Sequence, residues 1–150
     1  MMSAAGRMEL IHMPPMTLVT GSMMSGDPDR ARLSGAMIHY VVMGTVAFGL
    51  LYAALFAAFG SASLLTGVVI GAVHGVFVGA VAMPMMPAMH PRMTGSLGPG
   101  GAVVDTSGGG VVLAASGDFG SGWASMTPIG LMIGHVVFGP VVALVYGILV

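Results

Sequence analysis

Long runs of apolar residues alternate with short polar breaks along this chain, and three of the runs cover most of its length. They occupy about residues 33–59, 62–83 and 127–150. A helix needs roughly 20 apolar residues to cross a hydrocarbon core about 30 Å thick, and each run meets that length. In lipid, backbone hydrogen bonds must be satisfied within the protein, which favours helices. The pattern predicts an all-α fold, a transmembrane helical bundle of three spans with a long Gly-rich loop between the second and third.

Local signals define the start of the first helix and the turn that follows it. Asp27 is a suitable N-cap, Pro28 suits the first helical position, and Asp29 complements the positive end of the helix dipole. Residues 60–63, Gly-Ser-Ala-Ser, are too few for anything except a tight reversal. The second helix is therefore predicted to return antiparallel beside the first.

Prolines and glycines separate the second span from the third. Pro84 and Pro87 are predicted to stop the second helix, because proline lacks an N–H donor and clashes with the preceding turn. Residues 84–126 are rich in Gly, Ser and Pro and are predicted to be loop, with only residues 111–115 ordering against the bundle. A Thr-Pro pair at residues 127–128 begins the third helix.

The N-terminal residues 1–26 do not fit a membrane span, although many of them are apolar. Pro14 and Pro15 interrupt any helix long enough to cross a bilayer. We expect an interfacial or re-entrant segment here, followed by a transmembrane helical domain at residues 27–150.

Charged residues indicate the orientation in the membrane. All four arginines lie before the first span or after the second, at Arg7, Arg30, Arg32 and Arg92. Basic residues are enriched on the cytoplasmic side of membrane proteins. The N-terminal segment and the long loop are therefore predicted to be cytoplasmic, with the 60–63 turn and Val150 on the far side.

The composition excludes several classes of function. Hydrophobic residues make up 56% of the chain and charged residues 6%, far from the roughly one quarter charged residues of soluble domains. With four basic and five acidic residues, no basic surface exists to bind nucleic acid. The absence of Cys excludes disulfides and thiolate chemistry. The predicted partners are the lipid bilayer and other membrane helices, from a second copy or a larger complex.

The second run carries a glycine at every fourth position. These residues, called here the glycine ridge, are Gly67, Gly71, Gly75 and Gly79. In lipid, small residues let a neighbouring backbone approach closely. The ridge predicts a helix-packing face, within the chain or in a homo-oligomer.

Each span contains one histidine, and ionisable residues in a membrane span suggest a function by default. Counted from the ends of their helices, His74 and His135 could lie at one depth, with His39 at another. Two facing imidazoles could bind haem iron or a metal, or share a proton. They could also simply donate hydrogen bonds that join the helices.

A second cluster of candidate ligands follows the second span. Met85, Met86, Met89 and His90 are closely spaced on a proline-rich segment, and thioether and imidazole ligands suit Cu(I). The alternative is that methionine fills irregular gaps, since the chain contains 16 of them. No motif of catalytic carboxylates, nucleophile and base, or phosphate-binding loop is present, so an enzyme is not expected.

Several short motifs resemble a family of uncharacterised bacterial multi-pass inner-membrane proteins. They are G-D-P-D-R-A-R at residues 26–32, H-G-V-F-V-G at 74–79, H-P-R-M at 90–93 and T-P at 127–128, before a helix containing His135. The resemblance covers most of the chain from about residue 8, and it implies a fold and a bacterial inner-membrane location but no activity or ligand.

The chain departs from that resemblance at its start. Such proteins usually have a further apolar helix before the segment that matches residues 7–24 here. We expect either that the sequence starts late or that this member lacks its first span.

The leading hypothesis is a non-enzymatic, integral inner-membrane protein, an accessory or assembly component that packs through its glycine-rich helix face. The alternative hypothesis is a haem- or copper-binding membrane protein that uses the intramembrane histidines or the Met/His-rich segment.

Overall fold

The structure is a computed structural model that describes residues 16–97, 103–105 and 110–150. The described part is mostly helical and contains four α-helices, three strands and one short 3₁₀ turn. The helices are α1 (Met16–Ser22), α2 (Pro28–Phe59), α3 (Leu64–Met89) and α4 (Thr127–Leu149). The strands are β1 (Met93–Leu97), β2 (Val103–Asp105) and β3 (Val112–Ala115), and the 3₁₀ turn is Asp118–Gly120.

Three of these helices, α2, α3 and α4, are long and apolar enough to cross a membrane, as the sequence predicted. Asp27 caps α2 and accepts hydrogen bonds from the backbone N–H groups of Asp29 and Arg30 at 3.1 and 2.8 Å. Gly60 ends α2 with a left-handed φ of 63°, and Ser63 caps α3. The reversal at residues 60–63 therefore forms where the sequence placed it.

Two parts of the long helices have π-helical geometry, with hydrogen bonds to the fifth preceding residue. They are Met37–Phe48 in α2 and Val78–Ala82 in α3. In the first, the Thr45 hydroxyl also donates to the carbonyl of Tyr40 at 3.0 Å. Such segments change the rotation of the helix after them, and no pattern in the sequence predicts them.

The prediction that Pro84 stops the second helix is wrong, because α3 continues through Pro84 and Pro87 to Met89. Pro87 has no N–H to donate to the carbonyl four residues earlier, that of Met83. The Ser116 hydroxyl donates to this carbonyl at 2.6 Å instead, and the side chain of Ser116 is completely buried. The helix survives its proline because a distant residue replaces the missing donor.

The glycine ridge lies against α4, where the two backbones touch. A Cβ on Gly67 would come within 2.7 Å of the Gly139 carbonyl oxygen, and one on Gly71 would overlap the His135 carbonyl. Gly75 lies against the His135 Cβ, and the ring of Phe119 occupies the space beside Gly79. The glycine ridge is therefore the face of α3 that packs against α4 within the chain.

Helix α2 packs more loosely against this pair. An apolar cluster at the end near the 60–63 turn contains Tyr52 and Phe56 of α2, Ile70 of α3 and Ala143 of α4. At the opposite end, the short helix α1 contacts the first turns of α2. A Cβ on Gly21 would overlap the carbonyl of Ala31 there.

The segment 84–126, predicted as loop, instead contains the end of α3, three strands and the 3₁₀ turn. Strand β3 lies in the centre, parallel to β1 and antiparallel to β2. Its Leu113 and Ala114 are buried, and the indole N–H of Trp123 donates to the Ala114 carbonyl at 3.0 Å. The high Gly and Ser content obscured strands whose partners are remote in the sequence.

We expect the Ser116→Ala variant to lose about 1–3 kcal/mol of stability, since the buried Met83 carbonyl is left without a donor. Pro87→Ala restores an N–H that can reach the same carbonyl. The double variant should therefore lose less than Ser116→Ala alone. Denaturant unfolding in detergent, followed by fluorescence of the single Trp123, measures the difference. Ser34→Ala is the control, because its hydroxyl bonds only within α2. If the double variant loses as much stability as the two single variants together, Ser116 does not replace the donor that Pro87 lacks.

Candidate functional site

His74 on α3 and His135 on α4 lie side by side where the two helices meet. Their ring centroids are 4.6 Å apart, and the planes are almost perpendicular at 82°. The separation follows from the glycine ridge, because Gly71 lies against the His135 backbone and Gly75 against its Cβ. The structure thus brings together the two histidines that could lie at one depth according to the count along their helices.

The hydrogen bond of His135 assigns its tautomer. Its Nδ1 lies 2.8 Å from the carbonyl oxygen of Leu131. A carbonyl can only accept, so the proton of the neutral ring is on Nδ1. Nε2 of His135 therefore carries a free lone pair.

His74 has one nitrogen in a hydrogen bond and one without a partner. Its Nδ1 lies 3.1 Å from the Tyr52 hydroxyl of α2. Its Nε2 is buried and has no partner in the described part of the chain. Buried polar atoms are almost always hydrogen-bonded in native proteins, so an unpaired one calls for an explanation.

Aromatic rings line the remainder of this site. The ring of Phe48 lies 4.2 Å from that of His74, and Phe138 lies 6.4 Å from it. Tyr52 is buried and contacts the Phe138 ring at 5.4 Å. The imidazoles therefore occupy a largely apolar surrounding, in which electrostatic interactions are stronger than in water.

His39, on α2, was expected at another depth. Its ring lies 5.2 Å from that of Tyr40 on the same helix. Among the described residues, no three His, Asp or Glu side chains converge on a point where they could hold a metal ion.

The predicted copper ligand His90 is occupied by structural hydrogen bonds. Its Nε2 donates to the Val19 carbonyl of α1 at 2.9 Å, and its Nδ1 accepts from the Arg92 backbone N–H at 3.1 Å. The Arg92 guanidinium donates to the Ser22 carbonyl at 2.6 Å. His90 and Arg92 together donate to carbonyls in the last turn of α1. The Val19 carbonyl also accepts from the Ser22 hydroxyl at 2.9 Å. This arrangement, called here the α1 clasp, gives a structural role to the H-P-R-M motif.

The methionines before His90 differ in their exposure. Met86 packs against the apolar core that includes Met83. By contrast, Met85 and Met89 are 51% and 60% exposed. The copper site predicted at Met85, Met86, Met89 and His90 stays a prediction.

Sequence reasoning missed two residues near the histidine pair. Tyr52 contacts His74, and no local motif connects residues 22 positions apart. Met132 lies beside Gly75, where a Cβ would meet its Sδ at 3.1 Å and the His135 Cβ at 3.0 Å. The signal for Met132 was its i, i+3 spacing from His135, which places both residues on one helix face.

Comparison with known proteins adds no assignment, since no family model, curated protein or solved structure matches the chain. The resemblance to bacterial inner-membrane proteins stays a prediction.

Replacing His90 should loosen α1. The His90→Ala variant removes one of the two donors to the Val19 carbonyl, which keeps the Ser22 hydroxyl at 2.9 Å. It also leaves the Arg92 N–H without its acceptor, so the variant should cost about 1–2 kcal/mol. Hydrogen exchange of the α1 amides, measured by mass spectrometry in detergent, should accelerate. Gln can both donate and accept, so His90→Gln should partly restore protection. His39→Ala is the control. If α1 protection is unchanged in His90→Ala, the α1 clasp does not hold α1 in place.

Proposed function

We propose that this chain is an integral protein of the bacterial inner membrane whose three spans are α2, α3 and α4. Support comes from their length and apolar composition. The exposed side chains along α2 include Leu50, Val42 and Val46, and in a bilayer such surfaces contact lipid or other helices. We further propose a non-enzymatic role as an accessory or assembly component of a membrane complex.

The surface proposed for partner helices is α2 and not the glycine ridge. The ridge is used within the chain by α4 and Phe119. In α2, only 11% of the most apolar stretch is buried, against 28% in α3 and 17% in α4. A Cβ on Gly44 or Gly49 would meet only the carbonyl of an earlier residue of α2. These small residues therefore leave space where another helix could approach.

The arginines support one orientation. Arg30 and Arg32 lie in the first turns of α2, and Arg92 lies in the α1 clasp at the same end. The turn at Ser61 lies at the other end of the hairpin. We propose that the end containing α1 and the sheet is cytoplasmic.

Orientation can be tested by labelling, because the natural chain contains no Cys. In whole cells, a membrane-impermeant maleimide should label Ser61→Cys and should not label Met24→Cys. Both side chains are exposed, so Met24→Cys should react once the membrane is permeabilised. Labelling of Met24→Cys alone in intact cells would reverse the orientation, and labelling of both would contradict a membrane-spanning hairpin.

The accessory role predicts a discrete neighbour of α2. A photo-crosslinking amino acid at Leu50, which is 67% exposed, should yield one adduct of defined mass in native membranes. An adduct of twice the 15.0 kDa chain mass indicates a second copy, and any other single mass indicates a different subunit. The same amino acid at Ile148, near the end of α4, is the control. No protein adduct from Leu50 would contradict the assignment of α2 as the docking helix.

A second candidate function is cofactor binding by the intramembrane histidines, favoured by the unpaired Nε2 of His74. Haem with two axial histidines places the imidazoles on opposite sides of the iron. With Fe–N bonds of about 2 Å, the rings would lie farther apart than the observed 4.6 Å. The spacing therefore favours a single ion over haem.

A further inference from the structure

We propose that His74 and His135 bind one Cu(I) ion through their Nε2 atoms, with the thioether of Met132 as a third ligand. The proposal rests on the membrane placement above only for the exclusion of water. The positions of the two histidines depend on contacts between α3 and α4 and not on the membrane.

The hydrogen bonds that the two imidazoles make through Nδ1 suit metal binding through Nε2. Histidines that ligate a metal usually hold the other ring nitrogen in a hydrogen bond to a carbonyl or another polar group, which fixes the ring orientation. His135 does this with the Leu131 carbonyl, and His74 with the Tyr52 hydroxyl. Both rings therefore keep Nε2 for a ligand.

The geometry allows one ion to reach both rings. Metal–imidazole bonds are about 2.0–2.1 Å long, and ring centroids 4.6 Å apart permit a bent arrangement around one ion. Met132 precedes His135 by one turn of α4, and its Sδ and the His135 Cβ both lie about 3 Å from the position that a Cβ on Gly75 would take. Its unbranched thioether can adjust to the ion.

The chemistry of the ligands selects Cu(I). The three apolar runs contain no Asp, Glu, Lys or Arg between residues 33–59, 62–83 or 127–150, so no carboxylate is available to neutralise a divalent ion. Burying an uncompensated charge is costly, and the cost is smaller for a monovalent cation. Thioether and imidazole are the soft and intermediate ligands that Cu(I) prefers.

An occupied site also explains the unpaired nitrogen. The buried Nε2 of His74 has no partner in the described residues, and a buried unsatisfied group is destabilising. Coordination would provide this nitrogen with a partner beside the His135 ring, whose centroid lies 4.6 Å from that of His74.

The experiment is an anaerobic titration of detergent-purified full-length protein with Cu(I) in competition with a chromophoric chelator. We expect one Cu(I) per chain. The affinity should fall by about 100-fold or more in His74→Ala and in His135→Ala, since loss of a second-shell partner alone costs roughly 10–100-fold. Met132→Leu should weaken binding less, by roughly tenfold. X-ray absorption at the copper edge should show two nitrogen ligands and one sulfur.

Matched controls separate this site from other methionines and histidines. Binding should be unchanged in His39→Ala, in Met43→Leu and in the combined replacement of Met85, Met86 and Met89. Trp123 fluorescence and helical circular dichroism establish that each variant is folded, and His74→Gln provides a second variant if His74→Ala is unstable.

Three results would overturn the proposal: no Cu(I) bound, equal affinity in the His74→Ala/His135→Ala double variant, or loss of binding only when Met85, Met86 and Met89 are replaced. Failure here leaves the membrane placement standing, because cysteine labelling tests that independently in copper-free cells. Failure of the labelling test, conversely, leaves the copper stoichiometry and ligand identity measurable in detergent.

Discussion

The close backbone contact between α3 and α4 is the constraint on which the rest of this structure depends. Gly67 and Gly71 bring α3 against the carbonyls of Gly139 and His135, closer than any side chain would permit. Lipid provides little hydrophobic drive between apolar helices, so packing at this distance supplies much of the association energy. The contact also determines which residues of the two helices face each other, and hence where the histidines meet.

Backbone groups that a helix cannot pair for itself organise the opposite end of the molecule. Pro87 leaves the Met83 carbonyl without a helical donor, and Ser116 provides one. The last carbonyls of α1 are paired by His90 and Arg92. In both cases a polar side chain from the segment after α3 satisfies a helix carbonyl, which ties the small sheet to the helices.

The histidine pair differs from His90 in its hydrogen bonding, because one ring nitrogen of His74 is buried without a partner in the described part of the chain. His90 uses both ring nitrogens, whereas within residues 16–97, 103–105 and 110–150 His74 and His135 each use only Nδ1. The surrounding aromatic rings of Phe48 and Phe138 are apolar and cannot substitute for a missing partner. A fully paired histidine is adequately explained by packing, and an unpaired one at a helix interface is the observation that carries the copper proposal.

The sequence by itself determined the three apolar helices, the cap at Asp27 and the turn at residues 60–63, because length, periodic apolar content and capping are local properties. It also allowed His74 and His135 to lie at one depth, since depth is counted along a helix. Only the tertiary structure decided that the proline at 87 does not end α3, that His90 is a structural residue, and that Tyr52 and Met132 border the histidine pair. Each of these depends on a partner far away in the chain, and no local pattern specifies which distant group satisfies a given carbonyl or which side chain fills a given space.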